Sequence, residues 1–113
     1  MKDLLIQSGA DFALVVRTEG TLIAKTGTVI TDEIENVGML AALIYGAAQN
    51  IGGLLSSVVS FVHQHSDQKD LLILRISEQS GLIIGFNQVL GLGEVLYKGR
   101  RAATVLAELL GSL

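Results

Sequence analysis

VGMLAALIYGAAQNIGGLLSSVVSFV, residues 37–62, carries no charged side chain, yet its first two-thirds sort into two unlike faces when wound onto a helix. At about 100° per residue, Leu40, Leu43, Ile44, Ala47, Ile51, Leu54 and Leu55 fall on one side, and Gly38, Ala42, Gly46, Gln49 and Gly53 on the other. A bulky stripe is what an amphipathic helix lays on a core, whereas a face turned to water would carry Lys and Glu. The small face carries neither. Each glycine inside a helix costs about 0.5–1 kcal/mol relative to alanine, so several in one helix imply that another backbone approaches closely. The pattern therefore predicts the bulky stripe on the core and the small face against a second helix. The alternative is that the small residues pack beneath a sheet or loop of the same chain.

The run also reaches the length of a membrane-spanning helix, for which about 20 apolar residues suffice. Gln49, Asn50, Ser56, Ser57 and Ser60 would then lie in hydrocarbon, Gly52-Gly53 would interrupt the middle, and no Lys/Arg cluster flanks either end. Membrane insertion is not expected. Val58-Val59-Ser60-Phe61-Val62 is β-branched and aromatic, so the run is read as the end of one helix and the start of a strand.

Outward from this stretch, Asp32 and Glu35 have capping-box spacing and start the central helix, predicted over Asp32 to about Leu55. Upstream, Phe12–Val16 and Thr21–Lys25 flank the turn Thr18-Glu19-Gly20 as a hairpin, and residues 2–8 are read as a short helix. Downstream, strands are predicted over 58–65, Leu71–Ile76 and Leu82–Phe86, with turns at Ser66–Lys69 and Ser77–Gly81. A last helix from about Gly93 to Leu110 sets Leu92, Leu96, Ala103, Leu106 and Leu110 at helical spacing and ends at Gly111. The order α-β-β-α-β-β-β-α predicts one α+β domain over residues 1–113, a five-stranded antiparallel sheet sandwiched by helices.

Composition narrows the function classes. The absence of cysteine excludes disulfides, thiolate catalysis and cysteine metal sites. A net charge of −3 argues against sequence-independent nucleic-acid binding, and the one basic cluster, Lys98, Arg100 and Arg101, is read as a solvated helix face. Half the residues are apolar and 17% charged, low for a small monomer, so an oligomer is expected. The opening MKDLLIQSG is too short and acidic for a signal peptide, which points to the cytoplasm.

Chemistry-bearing residues are few. His63, His65 and Asp67 alternate and would line one face of a strand, where two imidazoles and a carboxylate can hold a metal; polar residues at the wet end of a strand is the preferred reading. Gly91-Leu92-Gly93-Glu94-Val95-Leu96 opens like a dinucleotide fingerprint but has Leu96 at its third glycine position, and no Gly-rich loop ends in Lys-Ser or Lys-Thr. No catalytic residue, metal or cofactor is expected.

The hairpin DFALVVRTEGTLIAKTG, the helix EIENVGMLAALIYGAAQNIGGLL, the strands LLILRI and GLIIGF, and the closing LGEVLYKGRRAATVLAELL together resemble the Roadblock/dynein light chain family, most of all its bacterial MglB-like members. The resemblance implies a five-stranded antiparallel sheet between helices. It also implies homodimers in which the central helices pack together and the third strands pair, with Gly38, Ala42, Gly46 and Gln49 along the helix pair and Val59, Phe61 and His63 on or beside the paired strand. By the same resemblance the protein is a non-enzymatic regulator or scaffold for a small Ras-like GTPase, met at the exposed end of the helix pair around Glu35, Met39 and Tyr45. The family's first helix is longer than residues 1–8 allow. The competing expectation is a small-molecule sensor that holds a ligand between sheet and helices.

Overall fold

The computed structural model describes residues 10–27, 32–67, 69–87 and 91–110. Its strands are β1 (Phe12–Arg17), β2 (Leu22–Gly27), β3 (Phe61–Gln64), β4 (Lys69–Ser77) and β5 (Ser80–Asn87). Helix α1 (Asp32–Leu54) joins β2 to β3, and α2 (Leu92–Leu110) follows β5. The predicted helix over 2–8 and the stop at Gly111 lie outside the described residues.

The strands form one antiparallel sheet in the order β2-β1-β5-β4-β3. Burial explains the order. Phe12–Val16, Leu72–Leu74 and Gly81–Phe86 are buried on successive residues, so these strands need cover on both faces and take the three central places. The more exposed β2 and β3 become the edges. Because side chains alternate along a strand, Leu72, Leu74, Leu82, Ile84 and Phe86 face one way, and Phe12, Leu14, Ile73 and Ile83 the other. The first set packs beneath Val95, Ala102 and Ala103 of α2. The second packs beneath Ala41, Ala42 and Tyr45 of α1. A helix thus covers each face, as the sequence pattern predicts.

Strand β3 is shorter than the predicted span 58–65 because α1 ends abruptly just before it. The Ser57 amide donates to Gly52 O at 2.8 Å and the Ser56 amide to Gly53 O at 3.1 Å, with Ser56 in the left-handed region at φ 56°. These two bonds are the Schellman pattern that closes a helix and reverses the chain. The chain then reaches the sheet at Ser60, whose carbonyl accepts from the Arg75 amide at 3.4 Å, and pairs from Phe61↔Leu74 to Gln64↔Leu71. Arg75, Ile76 and Ser77 extend β4 beyond its short neighbour.

Candidate functional site

Helix α1 sorts its residues as the wheel predicts but presents them the other way round. Gly38, Ala41, Ala42 and Tyr45 are buried on the chain's own sheet, and Leu40, Leu43, Ile44, Ala47, Ile51 and Leu54 are exposed. Leu43 is 64% and Leu54 87% exposed. The physical reason lies in the sheet, which already supplies the bulk. A Cβ on Gly38 would come 3.0 Å from Leu14 Cδ1 and 3.2 Å from Val16 Cγ1, so only a small face can settle onto those side chains. Gly38 and Ala42 are therefore corrected from an intermolecular helix contact to an intramolecular one. Gly46, also expected along the helix pair, is half-buried at the flank of the helix with open space where a Cβ would stand.

Gln49 and Tyr45 hold the helix to the connection that leads into β3. Gln49 Nε2 donates to Val59 O at 2.8 Å and to the Tyr45 hydroxyl at 2.6 Å, and Tyr45 donates to Val59 O at 3.3 Å. Burial pushes the Tyr45 phenol above its ordinary value of 10.0, against smaller lowering effects of the Gln49 hydrogen bond and the Arg75 charge. Tyr45, at 5% exposure, offers a partner no surface, which corrects its expected place on an exposed helix end. Met39 is exposed beside Gly20, and Glu35 is half-buried in an ion pair with Lys25 of β2.

The two sheet edges differ in the same sense as the helix faces. Strand β2 carries the exposed Lys25, a charge that discourages edge pairing. From Ser56 to Gln64 there is no acidic residue and no Lys or Arg. Within β3, the Phe61 ring lies beneath the Arg100 guanidinium at 5.6 Å and the His63 ring stacks on Phe86 at 6.2 Å. These side chains are engaged by their own chain, so what the β3 edge offers outward is backbone. The exposed α1 stripe continues through Leu55 and Val58 toward that edge.

The histidines find a partner that their spacing did not name. His63 Nε2 lies 2.7 Å from Asp70 Oδ2 and His65 Nδ1 lies 3.0 Å from Asp70 Oδ1, while the Ser66 amide donates to Oδ1 at 3.4 Å. Asp67, the carboxylate expected beside them, is exposed in the bend and Asp70 stands in that role. A legible signal existed. Residues 65 and 70 flank a short turn, and continuing the register His63↔Leu72 sets one opposite the other.

Two open clefts of about 440 and 470 Å³ lie where β4 outruns β3. The first is lined by Leu74, Arg100 and Ala103 among others, and the second by Tyr45, Gln49, Asn50 and Arg75.

No protein-family model and no curated protein sequence matches the chain. Solved structures do. An MglB with a tetrameric arrangement is similar at 24% identity and TM-score 0.85, covering 94% of this chain and 81% of its own. Myxococcus xanthus MglB is similar at 18% identity and TM-score 0.90, over 99% of this chain and 92% of its own. A Roadblock/LC7 domain from Streptomyces avermitilis follows at 15% identity and TM-score 0.87, over 97% of each chain. The five-stranded sheet, the helix on either face and nearly the whole length are shared, so the chain has the Roadblock/MglB-like fold that its sequence resembles.

Proposed function

We propose that this protein is a non-enzymatic regulator or scaffold that works as a homodimer and binds a small Ras-like GTPase. The observation that carries the reading is the exposed stripe Leu40, Leu43, Ile44, Ala47, Ile51 and Leu54, continuous through Leu55 and Val58 with the uncharged β3 edge. Contiguous apolar surface of this kind marks an interaction site. A second copy is the occupant that suits it. In a twofold contact one patch meets its own image, so an uncharged stripe meets an uncharged stripe and an open edge meets an open edge. Two helices joined along leucine and isoleucine would interdigitate as ridges into grooves, and pairing of the two β3 backbones would continue the sheet across the axis. Likeness to MglB folds, one of them in a tetrameric arrangement, supports assembly.

The length and apolar content of α1 also pass the test for a membrane span, with Glu33–Leu54 as the candidate. Removing α1 into a bilayer would uncover Phe12, Leu14, Ile73 and Ile83, which it now shields, so the helix serves as a layer of the fold.

Regulation without catalysis needs only differential affinity. A dimer that binds one switch-loop arrangement of a GTPase better than another shifts the population by that difference in affinity. The surface proposed for this contact is the N-terminal end of α1 at Glu35 and Met39, beside β2. Titration calorimetry with a Ras-like GTPase loaded with GDP, then with a non-hydrolysable GTP analogue, tests the reading. Unequal affinities that fall with Glu35→Ala and Met39→Ala support it, and no binding of either form by an intact dimer overturns it.

A further inference from the structure

We propose that His63, His65 and Asp70 form a binding site for a divalent transition-metal ion of the zinc class. The chain has two histidines, and both present a ring nitrogen across the turn to the same carboxylate. One ligand atom from each of the three residues lies within 4.8 Å of the others. Zinc bonds of about 2.0–2.1 Å at tetrahedral angles set neighbouring ligand atoms about 3.3 Å apart. Asp70 Oδ2 lies 2.7 Å from His63 Nε2 and 3.2 Å from His65 Nδ1, so the first separation opens by about 0.6 Å to admit an ion and the second is already close to that spacing.

The donor set selects the metal. Two imidazole nitrogens and one carboxylate suit zinc, cobalt or nickel, whereas calcium and magnesium require a cage of oxygens. The surroundings suit a site with graded access. Asp70 is 7% exposed and accepts the Ser66 amide, which helps to orient the carboxylate. His63 is held by its stack on Phe86, and His65, with 69% of its side chain exposed, stands at the entry. Three protein ligands leave a fourth position for water. The bound ion would tie the end of β3 to β4 across the 65–69 connection.

The test uses the full, tag-free chain after chelator treatment. Zinc titration by calorimetry is expected to show one ion per chain, with a rise in Tm. His65→Ala removes an exposed ligand and keeps the fold, and is expected to weaken zinc binding at least 100-fold; His63→Ala is expected to do the same. Because Asp70→Asn risks the fold, cobalt on the unmodified chain supplies an independent reading, the visible ligand-field bands of a four- or five-coordinate ion that zinc then abolishes. Zinc binding that is absent, or that survives loss of both histidines, overturns the proposal. A cobalt spectrum that stays that of the hydrated ion overturns it too.

Discussion

Helices α1 and α2 meet the same sheet from opposite sides and do so in the same way, yet only α2 mixes charge along its length into the apolar residues it shows solvent. Each buries small residues: Gly38, Ala41 and Ala42 on α1, and Gly99, Ala102 and Ala103 on α2. A Cβ on Gly99 would come 2.6 Å from Leu74 Cδ1 and 2.9 Å from Ile84 Cδ1, so α2 lies even closer to the sheet than α1 does at Gly38. Outward, α2 displays Glu94, Arg100, Arg101 and Glu108, with Lys98 paired to Glu94 at 3.1 Å, as a solvated helix should. From Asn36 to Leu54, α1 has no charge to display. The sheet explains the small inner faces of both helices but not the apolar outer face of α1, which the proposed dimer would cover.

The substitution with the largest expected effect strikes that asymmetry directly. Leu43→Glu combined with Ile51→Glu should raise the dimer dissociation constant at least about 1,000-fold, or about 4 kcal/mol, by burying charge in the proposed contact, without loss of helical circular dichroism. The matched pair on α2, Tyr97→Glu with Val105→Glu, should leave sedimentation unchanged. Equal effects of the two pairs would erase the distinction.

Inner faces give the next effect. Gly99→Val should destabilise the fold by roughly 1–3 kcal/mol in urea unfolding, because Leu74 and Ile84 must move aside, and Gly38→Val should cost less. Gly46→Leu, which enters open space in mid-helix, should instead raise stability by roughly 0.5–1 kcal/mol, the cost of a helical glycine. Ser56→Gly relieves a left-handed residue and should raise stability by about 1 kcal/mol, provided the Schellman closure is kept.

The smallest effect is one of pH. Burial raises the Tyr45 phenol in the folded chain, so its neutral form is favoured there; this contribution is present below the ordinary value of 10.0 and is lost as pH rises through the raised folded value. Tyr45→Phe should flatten the alkaline limb of the stability curve, although it also loses the bond to Val59 O.

Much of the fold was legible because its signals are local. Apolar strands such as Leu71–Ile76, the Thr18–Gly20 turn and the two long helices are each announced by their own residues, and they stand in the predicted order among the described residues. The inward face of α1 was not legible from α1 alone. Helical periodicity separates two faces but does not say which is inside, and the answer depended on the bulk of Leu14 and Val16, which come from a distant strand. The histidine cluster shows the same limit. Alternation put His63 and His65 on one face, but their carboxylate lies across a turn, where strand register rather than spacing decides the neighbour. Tyr45 was misplaced for a related reason, since an aromatic flanked by small residues on a helix can anchor the core as readily as face a partner.

Light scattering of the unmodified chain across a wide concentration range separates a paired from an unpaired α1. A pair held by the apolar face of α1 gives a mass of twice the chain, or a multiple of that pair, which falls toward one chain for Leu43→Glu/Ile51→Glu. A wild-type chain that stays monomeric at every concentration would contradict that pairing and leave the apolar face of α1 unexplained.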